Sequence, residues 1–480
     1  MFSSVIALTP ILSVMAAGIA TMLAEALRDP GERVPIAGLG VIGLAGAAVT
    51  SVLLWDRNAA SFGVVSADNF GLFITLVLSA VGILTVMVSS DVVGRDHLPA
   101  GEYYALTLFA LGGMMLMATA VDLVVIFLAL EVLSLSVYVL TAIRRDSESG
   151  TEGAFKYFVL GGFSSAFFVY GIAFTYGIVG STRLDRIGTV LSAGAMDRTP
   201  LALIALALLL VGFAFKVSAV PFHMWTPDAY QGAPAIVTGF MSTGVKAAAF
   251  AAFARVFLSA LGPLSPDWAP VLWAIAAATM ILGTVVGVTQ RNLKRMLAYS
   301  SIAHGGYLLV ALVSARASAM GQAALLFYLA VYAVTNLAAF ALIACLGTRH
   351  EPNDEVSDYA GLGTRRPMMA AAMTVFLLSL GGMPPTAGFV AKWYVFSAAI
   401  RAGDYSLAII GVLTSVIAVF FYLRVVVMMY MAEPGREIVS GRVSRVAIAA
   451  LAGSLAIIFY LGILPGRLLD LAAGSVAAIF

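Results

Sequence analysis

The chain has 480 residues, 61% hydrophobic and 11% charged, with a formal net charge of +2 and a mean hydropathy of +1.00. Those values lie far from soluble averages and exclude a water-soluble globular enzyme. A single cysteine, Cys345, excludes an intrachain disulfide and a cysteine-held zinc or iron–sulfur site.

Apolar runs of about 20 residues recur from end to end, each long enough to cross a bilayer as a helix. Fourteen spans are expected, at roughly 4–27, 34–55, 68–91, 102–119, 121–143, 154–178, 201–231, 235–260, 267–289, 294–313, 322–348, 368–400, 405–430 and 444–465. The expected fold class is an all-α polytopic membrane protein. The opening MFSSVIALTPILSVMAAG lacks a basic n-region and reads as the first membrane helix, not a cleaved leader. Gly38, Gly40 and Gly43 spell G-x-G-x-x-G, but inside span two. A dinucleotide site needs a strand before and a helix after, so these are helix-packing glycines. No G-x-x-x-x-G-K-[ST] occurs, which argues against ATP-driven pumping, and no H-E-x-x-H or paired-histidine haem pattern stands out. The longest polar segments, about 179–200 and 349–367, cannot hold a soluble catalytic domain. Within the second, Asp354, Glu355 and Asp358 read as a solvated acidic loop, with contact to a partner as the alternative, while His97 and His350 carry no assignment.

Span seven departs from the apolar pattern. FAFKVSAVPFHMWTPDAYQGAP, residues 213–234, places Lys216 where hydrocarbon should continue, then Pro221, His223 and a polar group. Proline removes a helical N–H bond and clashes one turn back, so the carbonyl of Val217 is expected to be freed. A broken helix carrying a lysine has to line a hydrated cavity or pack inside protein. Span twelve, AAAMTVFLLSLGGMPPTAGFVAKWYVF, repeats the pattern with Pro384, Pro385 and Lys392. The breaks are five spans apart, an odd offset that reverses direction through the membrane. The expectation is an inverted repeat of spans four to eight and nine to thirteen, the arrangement in which paired broken helices mark a transport site. The segments are then 1–101, 102–260, 267–430 and 431–480.

Charges settle the expected orientation. Loops after odd-numbered spans hold 14 of the 27 basic residues, so those loops are expected in the cytoplasm and both termini outside. Charges within spans are costly, roughly 2.5–3.5 kcal/mol at the bilayer centre, and call for a reason. The mid-span set is Glu131, Lys156, Lys216, Lys246 and Lys392, with His304 on span ten. Lysine suits proton transfer because burial draws its proton affinity toward neutrality, whereas arginine stays charged. Glu131 is the natural counter-ion for a lysine. Arg255 and Arg424 read as structural, and His223 as either a structural residue or a relay.

FKVSAVPFHMWTPDAYQGAP and FLLSLGGMPPTAGFVAKWYVF resemble the paired broken-helix signatures of the antiporter-like membrane subunits of respiratory complex I and of Mrp-type cation/proton antiporters. The resemblance runs from about span four to span thirteen. PDAYQGAP and FKYFVLGGFSSAFFVYGIAFTYG are most similar to members without a long lateral C-terminal helix, and no such extension is expected after Pro465. The resemblance implies a proton-translocating role in a complex that couples quinone reduction to pumping. It implies that Glu131 and Lys216 form an ion pair, that Lys246 is the central lysine, that Lys392 belongs to the second break, and that Lys156, His223 and His304 lie on the polar axis. No cofactor is expected on this chain. NADH, FMN, iron–sulfur clusters and quinone are expected on partner subunits. The implied partners are a neighbouring antiporter-like subunit and small membrane subunits, in the lipid bilayer of a bacterial inner membrane, with no nucleic acid. The rival readings are a sodium/proton antiporter subunit and a purely structural membrane scaffold.

Overall fold

The computed structural model describes residues 5–28, 36–193, 199–348, 353–434, 443–477 and 479. The first residues of spans one and two, and His350, lie outside them. In chain order the elements are α1 (Thr9–Ala26), α2 (Ile36–Leu53), β1 (Ala59–Ser61), β2 (Val65–Ala67), α3 (Asn69–Arg95), α4 (Ala100–Thr119), α5 (Leu123–Thr141), α6 (Glu148–Val179), α7 (Leu184–Ser192), α8 (Pro200–Lys216), α9 (Trp225–Gly232) and α10 (Ala235–Ala260). They continue as α11 (Ser265–Thr289), α12 (Leu293–Ala315), α13 (Ala319–Leu346), α14 (Pro367–Gly381), α15 (Ala387–Arg401), α16 (Tyr405–Met431), α17 (Arg445–Ile463) and α18 (Gly466–Val476).

Eleven of the described helices are long and apolar enough to cross a membrane. Every expected span meets helical backbone, and spans seven and twelve are each two helices with non-helical backbone between. Short polar residues at the edges of the apolar runs start the helices. Asp68, Asp122, Ser147, Thr199, Asn292 and Ser444 each accept a hydrogen bond from a backbone N–H of the first turn.

The interior of the bundle is α10, α12 and α13, whose most apolar stretches are 100%, 94% and 89% buried, against 28% and 33% for α1 and α2. Small residues allow this crowding. Along α10, Ala247, Ala248, Ala249, Ala251, Ala252 and Ala254 are all at most 1% exposed.

Several elements were not expected from the sequence, among them short helical turns at Val356–Tyr359 and Leu362–Arg365 and three larger features. The β1–β2 hairpin closes one end of the bundle, with Gly63 at φ +71 in its turn. The left-handed conformation there calls for glycine, while among the described residues the only neighbour a Cβ would meet is the mobile end of the Arg183 side chain, 2.6 Å away at Nη1. The other two, α7 and α18, are too short to span and bury one face each, Leu184 and Ile187 in the first, Leu469, Ala472, Ser475 and Val476 in the second. The loop acids also differ from expectation. Asp354 is paired with Lys294 at 2.9 Å and is largely buried, where a solvated loop was expected. Its carboxyl is pushed above the usual range by burial, against the pull of Lys294.

Arg255 is structural, as its position suggested. Its guanidinium meets both oxygens of Asp68 at 2.7 and 2.8 Å and donates to the carbonyl of Ala118 at 3.2 Å. The pair joins α10 to the N-terminal cap of α3 and lies almost out of solvent. Removing one partner leaves a buried charge uncompensated, at a cost of about 3–5 kcal/mol. The Asp68→Asn variant should therefore lower the melting temperature and yield of the protein, with Asp68→Glu recovering part. A variant as stable as the parent would show that the pair contributes nothing.

Candidate functional site

Both breaks are built alike. At the end of α8, Ala219 N donates to Ala214 O at 2.8 Å and Ser218 N to Phe215 O at 3.1 Å. At the end of α14, Met383 N donates to Leu378 O at 3.0 Å and Gly382 N to Ser379 O at 3.0 Å. These are paired Schellman closures, each with a left-handed residue, Ser218 at φ +62 and Gly382 at φ +81. A proline follows three residues later in each case, Pro221 and Pro385, and both X–Pro bonds are cis. The helix thus ends before the proline, not at it. Val217 O is not a carbonyl orphaned inside a continuing helix, because α8 already stops at Lys216 and helix resumes at Trp225. Two contacts hold the unwound segment, Val220 N to Thr279 Oγ1 at 2.9 Å and Trp225 Nε1 to Phe215 O at 3.2 Å.

The lysines exploit these ends. Lys216 is the last residue of α8, at the negative end of its dipole. Its Nζ donates to Ser134 Oγ at 2.7 Å and to Tyr157 OH at 3.4 Å, and lies 5.4 Å from the Tyr157 ring centre. Lys392, on α15, reaches back to the end of α14. There it donates to Gly381 O at 3.0 Å and to Ser415 Oγ at 2.8 Å, with Nζ 5.0 Å from the centre of the Tyr307 ring. A Cβ on Gly382 would stand 2.8 Å from Lys392 Cδ, so this glycine also makes room for the lysine.

Lys246 lies between the breaks on α10, directly after a π-helical turn, Met241–Val245. Such turns widen the backbone and are frequent at functional positions. Lys246 Nζ donates to the carbonyl of Ser301 and, at 2.7 Å, to Ser301 Oγ, which also accepts from Tyr332 OH at 2.8 Å. Gly305 draws the first break and Lys246 together. A Cβ on it would be 3.1 Å from Val217 O and 3.6 Å from Lys246 Nζ. His304 lies on the same helix. Its Nδ1 shares a hydrogen bond with Tyr328 OH at 2.7 Å, its Nε2 one with Tyr422 OH at 3.4 Å, and Tyr422 OH is bonded to Ser300 Oγ. Lys216, Lys246, His304 and Lys392 are 2%, 1%, 4% and 5% exposed.

Three expected members of the site lie differently. Glu131 and Lys216 make no direct ion pair. Ser165 Oγ donates to Glu131 Oε1 at 2.5 Å, while Lys216 holds Ser134, and the carboxylate acts on the lysine through its field alone. Ser165 and Lys216 both line a cavity of about 10 Å³, room for a single water. Lys156 is not at mid-membrane. It lies two turns into α6, 42% exposed at its side chain, in a network with Glu152 at 2.6 Å and Asp228 at 2.8 Å. Asp228 in turn binds Arg295 at 2.6 Å, so Lys156 holds α9 against α6 and α12. His223 stands half-buried in the first break with Nδ1 unpartnered, and bonds to none of the other candidates. Arg424 is structural, donating to Val288 O at 2.9 Å and to Gln290 O at the end of α11.

Sequence reasoning missed the hydroxyl partners Ser134, Ser301 and Ser415 and the tyrosines around His304. Two carried a signal. Ser134 is three residues after Glu131 and Ser301 three before His304, spacings that share a helix face. Nothing marked Ser415.

A helical bundle with two broken spans and a line of buried lysines defines a membrane ion-translocating protein. A family model described as NADH:quinone oxidoreductase/Mrp antiporter, TM, matches residues 120–418, and the chain belongs to that family. It is 44% identical over 475 residues to NADH-quinone oxidoreductase subunit N of Trichlorobacter lovleyi, covering 98% of this chain and 96% of that protein. Identity to the subunit N of Chloroflexus aggregans is 40% over 480 residues, covering 98% and 97%. Among solved structures, a chain of respiratory complex I from Thermus thermophilus superposes with a TM-score of 0.83 at 34% identity, covering 97% of this chain and 99% of that one. A chain of the Mrp complex from a Dietzia species reaches 0.84 at 20% identity, covering 100% and 98%, a likeness of fold.

Proposed function

We propose that this chain is a proton-translocating, subunit N-type membrane subunit of NADH-quinone oxidoreductase. The observation that carries the reading is the chemistry around Lys216, Lys246 and Lys392. Each is buried among membrane helices, and among the described residues none has a carboxylate within ion-pair distance. Each is held by a serine hydroxyl, and two are held at helix ends. Such ammonium groups can give up a proton without breaking a salt bridge.

Fourteen spans form two inverted five-helix units, 102–260 and 267–430, flanked by 1–101 and 431–480. Hydrated half-channels reach the two breaks from opposite sides, and Lys246 and His304 connect them. A change at Glu131 and Lys216 alters the proton affinity of Lys246 and then of Lys392. Moving one charge against 100 mV takes about 2.3 kcal/mol. That is within the roughly 1.5–3 kcal/mol carried by one charge-assisted hydrogen bond, so exchanging a single lysine contact is enough to drive a step. Loops such as the one carrying Arg144 and Arg145 face the cytoplasm of a bacterial inner membrane, and both termini face the other side. NADH, FMN, iron–sulfur clusters and quinone belong to partner subunits, which supply the energy.

An affinity-tagged chain isolated in mild detergent should bring down the other membrane subunits together with NADH:quinone activity. The chain alone should oxidise no NADH and show no flavin, iron or haem absorbance. Sodium-dependent proton flux by the isolated chain, with no co-purifying redox subunits, would favour the antiporter reading instead.

A further inference from the structure

Away from the lysines, a cleft runs down the outside of the bundle between α4, α5 and α6. Its inner part, about 500 Å³, is walled by Leu106, Val139, Phe155 and Phe158. Its mouth, about 400 Å³, lies beside the loop that joins α5 to α6. Both volumes are in the range of ligand-sized cavities. Pro99, Glu102, Ile143 and Arg145 line both parts, so the two are one continuous trough. Phe155 and Phe158 are 66% and 52% exposed, apolar surface left uncovered by the rest of this chain.

The polar end is lined by Asp96, Glu102 and Asp146 and by Arg144 and Arg145. Glu102 and Arg145 are both exposed, and neither has an ion-pair or hydrogen-bond partner among the described residues, including each other. The neighbouring Arg144 is already taken, bound to Asp96 at 2.6 Å. A free guanidinium and a free carboxylate above an apolar trough match a zwitterionic amphiphile, with phosphate toward the first and ammonium toward the second.

We propose that this cleft binds a phosphatidylethanolamine molecule, its phosphate on Arg145, its ammonium on Glu102 and an acyl chain along Phe155 and Phe158. The site is not remote from the lysines. Tyr138 forms the inner wall of the trough, and the same ring lies 5.8 Å from Lys216 Nζ and lines the small cavity beside it. Its hydroxyl rests on Gly161, where a Cβ would be 2.0 Å away, so the ring is a thin partition between trough and cavity. A bound chain covers that partition and keeps water from the lipid side out of the Lys216 chamber.

The test is native mass spectrometry with lipid identification on the assembled complex, its subunit stoichiometry checked, followed by add-back of phosphatidylethanolamine or phosphatidylglycerol. The parent should retain phosphatidylethanolamine in preference to phosphatidylglycerol. Arg145→Ala should weaken retention about tenfold, the worth of one charged contact. Glu102→Gln should abolish the preference, because the acid that repels an anionic headgroup is gone. The exchange Glu102→Arg with Arg145→Glu should restore it, since a zwitterion fits either polarity. Ala142→Trp should fill the trough and displace the lipid. Phosphatidylglycerol preferred by the parent, unchanged retention in Arg145→Ala, an assembled exchange variant that binds no phosphatidylethanolamine, or a neighbouring subunit's helix lying in the cleft would each overturn the proposal.

Discussion

Lys246→Ala should leave the complex assembled and cut proton translocation on the order of 100-fold, the lower end of what a positioned proton-transfer group contributes. Assembly should survive because Lys246 makes no ion pair to a carboxylate. Its loss frees Ser301 Oγ, which keeps Tyr332, and removes a charge from the bundle interior. Translocation should fail because Lys246 is the titratable group on α10 between the two breaks, brought against the first of them at Gly305. Lys246→Arg should not rescue. A guanidinium does not release its proton near neutral pH, and it has to enter a space fitted to an ammonium bonded to Ser301. Lys392→Ala should act in the same direction at the second break. The measurement is the proton-to-electron ratio in proteoliposomes, and a normal ratio in assembled alanine variants would refute the relay.

Glu131→Gln and Lys216→Met should each slow pumping about tenfold or more, an effect of roughly 1.4 kcal/mol on the barrier. Combined, they should be little worse than the slower single variant. The geometry gives the coupling a particular form. Glu131 is tied to Ser165 and Lys216 to Ser134, with space for one water in the cavity that Ser165 and Lys216 share. The carboxylate therefore acts as a fixed negative charge near the lysine, not as a contact partner. Without it the buried ammonium loses the negative charge that offsets its burial. Glu131→Asp keeps the charge and should keep part of the rate. Coupling between groups in one such network runs to about 0.5–3 kcal/mol. Strictly additive losses in assembled variants would mean that the two residues act independently.

Much of this arrangement was legible in the residues. Membrane helices announce themselves through length and hydropathy, because in hydrocarbon every backbone group has to bond within its own helix. Both breaks were visible as proline, and Gly382 in LGGMPP marks the left-handed position of the second. In KVSAVP the same position is Ser218, which carries no such mark, and so the first break begins three residues earlier than Pro221 suggests.

The positions of the lysines were readable, but not their partners. A charged residue inside an apolar run is conspicuous in any sequence. Whether it faces water, lipid or another helix depends on packing between segments far apart in the chain. Lys156 and Lys246 look equivalent as letters. One emerges beside Glu152 and Asp228 at the end of the bundle, and the other is enclosed by α12. Hydrophobic periodicity cannot separate such cases, since lipid tails and protein interior are equally apolar. For the same reason nothing in the runs themselves reveals that α10, α12 and α13 are enclosed while α1 and α2 lie at the periphery of the bundle. The contacts of Ser134, Ser301 and Ser415 and the water-sized cavity shared by Ser165 and Lys216 come into being when the helices meet. Covalent order therefore sets which groups are charged and where the backbone must break, and helix packing sets which of those charges touch.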